Sequence, residues 1–85
     1  MYYVYALKSE KNDDLYIGSC NDLGVRFKQH NCGEVQSTKG YRPWVLVYYE
    51  AYRSKRDSGI REKRLKMHAA KNELKERLKF SLLGG

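Results

Sequence analysis

The chain has 85 residues, with 17 lysines and arginines against 10 aspartates and glutamates, and a formal charge of +7. A chain this short makes one domain with room for one core and one site, burying roughly 60–65% of the surface its unfolded form exposes. The positive excess points to a polyanionic partner, nucleic acid or, less specifically, an anionic membrane surface, which charge alone does not separate, and the longest apolar runs are far too short to span a bilayer.

Two cysteines, Cys20 and Cys32, cannot supply a four-ligand zinc site. With no apolar signal peptide ahead of them, they read as reduced thiols of a cytoplasmic protein. No internal repeat interrupts the chain, so residues 1–85 are expected to be a single domain.

Tyr2 to Leu7 is aromatic and β-branched enough to predict a strand, and Leu15 to Cys20 predicts a second. Lys11-Asn12-Asp13-Asp14 between them is turn material, so the two runs form a hairpin. Pairing about that turn sets Tyr5 and Tyr16 nearly opposite each other, within reach across the strands. Gly18, two residues past Tyr16, removes a side chain from the same face and lets a backbone or a ligand approach. A notch lined by phenols is one reading of these runs; ordinary strand packing of good strand residues is the other.

Asn21 and Asp22 offer cap chemistry, and Leu23 to His30 predicts a short helix ended by Gly33. Arg26 and His30 are four apart and share one face, with Leu23 and Phe27 on an adjacent core-facing stripe. Asn31 to Tyr41 is a polar loop whose Ser37-Thr38-Lys39-Gly40 carries hydroxyls, an amine and N–H groups of the kind that contact a phosphate backbone, a plain surface loop being the simpler reading of any one of them. Trp44 to Ala51 is nearly continuously apolar and aromatic, the strongest strand signal, and predicts the strand with most neighbours.

Ser54 opens a second helix, with Asp57 completing a short capping pattern, and the helix is expected to run to about His68. Gly59 inside it costs about 1 kcal/mol relative to alanine and suggests close packing there. Ser58, Glu62, Leu65 and Ala69 form one stripe in which a single carboxylate interrupts small and apolar residues. A carboxylate so placed needs a cation, either from the protein or a metal ion. A helix-surface salt bridge with Lys66 at i+4 is the simpler choice from these residues alone. Finally, Leu74, Leu78 and Leu82 predict an amphipathic helix over Asn72 to Leu83, and Leu82-Leu83-Gly84-Gly85 looks superficially like a ubiquitin-like tail without any matching pattern before it.

Tyr3-Val4-Tyr5 and Tyr16-Ile17-Gly18, followed in order by Arg26, His30 and Glu62, resemble the GIY-YIG nuclease superfamily. The likeness is closest to its small stand-alone members, related to the nuclease domain of the bacterial excision-repair endonuclease, and spans residues 2 to about 74. The resemblance implies an α+β fold, a small three-stranded sheet flanked by helices, and a metal-dependent DNA endonuclease acting in repair or recombination. It implies that Tyr16 activates the attacking water, Arg26 supports the phosphate and Glu62 binds one divalent cation, Mg2+ or Mn2+. It further implies that Tyr5 positions Tyr16 or a water and that His30 accepts or relays a proton.

These roles suit the residue types. A guanidinium keeps its charge and donates two parallel bonds to phosphate. Magnesium is commonly held by one or two carboxylates. An unperturbed phenol, with a pKa of about 10, needs nearby positive charge to act as a base.

The chain departs from the family pattern at Tyr3, where glycine is usual, at Ser19, where some repair enzymes have lysine, and at Ser58, where alanine is common. The Ser19 departure removes a positive charge from beside Tyr16. Target choice is expected to come from DNA structure or from a protein partner, since no further binding domain fits in 85 residues. Two alternatives are a non-catalytic or partner-dependent nucleic-acid-binding module and an RNA-binding domain with stacking tyrosines.

Overall fold

A computed structural model describes residues 1–83; Gly84 and Gly85, and with them the end of the tail and of the expected domain, lie outside the described residues. Three strands, β1 (Tyr2–Ser9), β2 (Leu15–Cys20) and β3 (Trp44–Tyr52), form one antiparallel sheet in the order β2-β1-β3. Helix α1 (Leu23–Asn31) joins β2 to the loop before β3, and α2 (Lys55–Leu65), α3 (His68–Arg77) and the short α4 (Lys79–Leu82) follow β3. This is the expected α+β architecture of a three-stranded sheet flanked by helices.

Alternation along β1 divides the core in two. Val4 and Ala6, with Leu15 and Ile17, pack against Leu65 of α2 and Leu74 of α3. Tyr5 and Leu7, with Trp44, pack on the other side against Tyr16, Leu23 and Phe27. Both faces of β1 are therefore covered, and Val4 through Leu7 are all buried.

The strand with most neighbours is β1, not the 44–51 run as expected from its apolar character. In β3, Val45 and Tyr49 are exposed along an outer strand. A bulge also spoils its alternation, because Ala6 pairs with Tyr48 while Leu7 pairs with Leu46, leaving Val47 as an extra residue. Tyr48 and Tyr52 both donate hydrogen bonds to Glu50, whose carboxylate also accepts from Arg61 Nε at 2.9 Å and Arg61 Nη2 at 3.0 Å. Burial raises the Glu50 pKa, but the bonds from Arg61, Tyr48 and Tyr52 outweigh it and hold the carboxyl down at about 2. The tyrosines that made this run look like a core strand serve a polar clasp between β3 and α2.

The hairpin register also differs from the expectation. Tyr5 faces Gly18 and Leu7 faces Tyr16, so Tyr5 and Tyr16 are diagonal rather than opposite neighbours. The cause lies in the turn: β1 continues to Ser9, whose N–H donates to Asp14 O and whose carbonyl accepts from Asp13 N, with Asp13 at φ 63°. Moving the turn centre by one residue moves each partner by two, which keeps both tyrosines on one face.

Asp22 caps α1 by accepting from Val25 N, and Ser54 caps α2 by accepting from Asp57 N. Helix α2 ends at Leu65, short of the expected His68, because Met67 is extended (φ −70°, ψ 142°) and α3 restarts after it. The break resets the helical phase, so Ala70 rather than Ala69 meets the core. Gly59 has open space where a Cβ would project, contrary to the close packing expected there. The leucine stripe packs as expected, with Leu74 buried and Leu78 and Leu82 against the core, but its helix begins at His68 and breaks at Leu78.

Candidate active site

A chain of hydrogen bonds runs inward from β1. The Tyr5 hydroxyl lies 2.7 Å from His30 Nε2, and His30 Nδ1 lies 2.8 Å from Thr38 Oγ1. Both His30 and Thr38 are fully buried. Because the Thr38 hydroxyl donates to Val35 O, it accepts from His30 Nδ1–H, which makes Nε2 the acceptor for the Tyr5 hydroxyl. Tyr5 thereby turns the lone pairs of its oxygen toward the neighbouring residues.

Burial, with the Arg26 charge adding to it, lowers the His30 pKa to about 4, so the imidazole is neutral near pH 7. Burial also pushes the Tyr5 phenol up to about 12, the Tyr16 phenol reinforcing it and the Arg26 guanidinium beside it opposing it. Tyr5 is thus a standing hydrogen-bonding group and not a base.

Gly18 makes this arrangement fit. A Cβ at Gly18 would stand 2.5 Å from the Tyr5 hydroxyl and 3.1 Å from Tyr16 Cε2. The notch expected at this glycine is filled by the phenol of Tyr5. The half-buried Tyr16 ring lies edge-on to His30 at 5.1 Å and to Trp44 at 6.0 Å between centroids.

Arg26 comes off α1 beside this aromatic group. Its Nη1 donates to Gln29 Oε1 at 3.2 Å, while its buried Nε has no hydrogen-bond partner. The same side chain borders a depression of about 310 Å3 that runs from Ser19 and Cys20 to Gln29. Burial raises the pKa of the Cys20 thiol there, which keeps it a neutral wall of the depression.

Glu62 reaches the site from the opposite helical layer. Ser19 Oγ donates to Glu62 Oε1 at 2.5 Å, and Lys66 Nζ pairs with Oε2 at 2.8 Å. The i+4 salt bridge and the approach to β2 are both present. Burial raises the carboxyl pKa, but the bonds from Lys66 and Ser19 and the charges of Lys66 and Lys63 bring it below its ordinary value. Tyr5, Tyr16 and His30 therefore pack together on the α1 side of the sheet with Arg26 beside Tyr5, while Glu62 lies in the α2 layer, bonded to Ser19 of β2.

Glu62 and Ser19 offer only oxygen donors, with a single carboxylate, and among the described residues no group of three or more histidines, cysteines, aspartates or glutamates is placed to hold an ion. Both Glu62 oxygens are engaged, one by Ser19 and one by Lys66, so a cation there would have to share or displace the Lys66 ammonium.

Two site residues escaped the sequence reading. Thr38 was expected to meet a phosphate backbone but is buried against His30, and Trp44 Nε1 donates to its carbonyl at 3.0 Å. Its signal was the hydroxyl eight residues beyond a histidine, too common a pattern to single out. Ser19 stood out only as a missing lysine, yet it is the link from β2 to Glu62.

The family described as GIY-YIG catalytic domain matches residues 1–79. A UPF0213 protein of Clostridium perfringens is 45% identical over 64 residues, covering 73% of this chain and 67% of its own length. A UPF0213 protein of Staphylococcus haemolyticus is 37% identical over 75 residues, covering 87% of this chain and 90% of its own. Among solved structures, the solution NMR structure of a UPF0213 protein from Bacillus halodurans superposes with a TM-score of 0.55 at 31% identity, over 87% of this chain and 82% of that one.

Proposed function

The chain belongs to the GIY-YIG catalytic-domain family, a nuclease family, and from that premise we propose that it is a metal-dependent DNA endonuclease that hydrolyses phosphodiester bonds. The observation that carries the reading is the Arg26 guanidinium, which borders an open depression and whose Nη1 is bonded to the neutral amide of Gln29. A guanidinium so placed can donate to an anionic phosphate oxygen that enters the depression.

In this reading Arg26 binds the phosphate and stabilises the charge that builds on its oxygens. Tyr16, acting as its phenolate, takes the proton of the attacking water as the new O–P bond forms, and the 3′ oxygen departs with the bonding electrons. Tyr5, its own proton committed to His30, accepts a hydrogen bond and orients Tyr16 or the water. His30 and Thr38 hold Tyr5 in that state.

Glu62, with Ser19 beside it, would hold one Mg2+ or Mn2+ ion. Such an ion supplies positive charge that offsets the phosphate and the departing oxygen. Among the described residues no helix is long and apolar enough to cross a membrane. A place in repair or recombination, and a protein partner that supplies target choice, rest on the likeness to the excision-repair nuclease domain.

The test is nicking of supercoiled and branched DNA with and without magnesium or manganese, comparing wild type with Tyr16→Phe and Glu62→Gln. Metal-dependent nicking that falls by orders of magnitude in both variants supports the assignment. Intact DNA binding without nicking under any divalent ion would make the protein a binding module instead.

A further inference from the structure

The loop that supplies Thr38 also builds a second feature at the other end of α1. Lys11, Lys39 and Arg42, with Asn31, Gly40 and Pro43, line an open depression of about 420 Å3. Three cations and no carboxylate face it. Glu10 bonds to Pro43 only through its backbone N–H.

Two of the three cations are held in place. Lys11 Nζ donates to Gly40 O at 3.1 Å, and Arg42 Nε donates to Lys39 O at 2.8 Å. The Arg42 guanidinium lies against Gly33, where a Cβ would stand 2.7 Å from Nη1 and where φ is +80°. Ser9 Oγ donates to Tyr41 O at 2.6 Å, tying the loop to β1, while Thr38 ties it to His30. A charged loop so fastened pays little ordering cost on meeting an anion.

We propose that Lys11, Lys39 and Arg42 form a second phosphate-binding site, which takes a backbone phosphate of the same duplex that occupies the candidate active site. The proposal rests on the DNA reading above. Arg26 and Asn31 mark the two depressions and stand five residues apart on α1, about 7.5 Å along its axis. That rise matches about two base steps of 3.4 Å, so one duplex reaches both. Because Thr38 joins the loop to His30, a phosphate in the second site fixes the register of the strand against Tyr5 and Arg26 without reading any base.

The experiment measures duplex DNA affinity across a salt series by fluorescence anisotropy, for wild type, Lys11→Gln/Lys39→Gln, Lys11→Arg/Lys39→Arg, and a control, Lys75→Gln/Lys79→Gln, on exposed positions of α3 and α4. All three substituted proteins alter exposed lysines, and thermal melting checks their folding. The Gln pair at the loop should weaken binding to all sequences alike and lower the slope of log K against log salt by about 2. The Arg pair should keep the wild-type slope, and the control should change it by less than half as much. A loop pair that behaves like the control, or like wild type, overturns the second site while leaving the DNA reading intact. Wild type that binds no duplex overturns the DNA reading itself, and the second site with it.

Discussion

The Tyr5 hydroxyl and His30 Nε2 lie 2.7 Å apart in a part of the core closed to solvent, joined by a hydrogen bond whose direction is fixed from behind by Thr38. This bond couples the first strand to the first helix, so the state of the candidate site and the stability of the fold share residues.

Gly18→Ala tests that coupling directly. The added methyl would meet the Tyr5 hydroxyl at 2.5 Å and its Cζ at 2.6 Å, and Tyr5 is only 1% exposed, with no room to retreat. The expected cost is about 1–3 kcal/mol, read from the denaturant midpoint. The His30 Nε2 resonance should shift as its bond to Tyr5 breaks. An unchanged midpoint and resonance would show that the notch is not filled by Tyr5.

Acid should destabilise the protein through His30. Its pKa falls from 6.5 in the unfolded chain to about 4 in the folded one. Above pH 6.5 the imidazole is neutral in both states and full stability is present. As pH falls through the window between these two values the unfolded chain takes up a proton that the folded chain refuses, removing up to about 3 kcal/mol. Glu50, whose pKa is lowered from 4.5 to about 2, adds a further loss as pH falls through that lower window. Chemical denaturation across pH should show both stages, and His30→Gln should flatten the first. A wild type equally stable at pH 7 and pH 4.5 contradicts the neutral, buried imidazole.

Arg26→Met separates ligand binding from folding. Nicking should fall by about 100-fold, as for loss of a charge-stabilising donor. Stability should change by less than about 1 kcal/mol, because the variant removes a buried Nε without a partner together with one neutral hydrogen bond to Gln29. Arg26→Lys should not restore the rate, since an ammonium lacks the planar fork. A variant that unfolds readily would make Arg26 a structural residue.

Lys66→Ala probes the carboxylate. Lys66 is 52% exposed and pairs with Glu62 Oε2, so it would compete with a cation held by that carboxylate. Its removal should change stability by less than about 1 kcal/mol. The magnesium concentration for half-maximal nicking should drop about two- to threefold, the equivalent of a weak surface ion pair. A higher requirement for metal would show that Lys66 assists and does not compete.

Much of this molecule can be read from the chain, and the parts that cannot have a common cause. Tyr5, Tyr16, Arg26 and His30 fall on one side of the sheet because strand alternation and helical spacing are local rules, and local rules survive a change of register by two. The caps at Asp22 and Ser54 were legible for the same reason. The strand order was not. Val4 to Leu7 and Trp44 to Tyr52 are both largely apolar, and it is the pairing of β1 with both other strands, which composition does not report, that puts the second run outside. Thr38 and Ser19 each act on a residue distant in sequence, His30 or Glu62, and no spacing rule reports a contact between separate elements.

The clasp at Glu50 bears on Glu62 through simple adjacency. Arg61 is bound at two points to the sheet, and the next residue in α2 is Glu62. Successive side chains on a helix diverge by about 100°, so fixing the bearing of one fixes the aim of the other. The anchor at β3 thus shares with Ser19 and Leu65 the setting of the bearing of α2, so that Glu62 is aimed by contacts to two different strands.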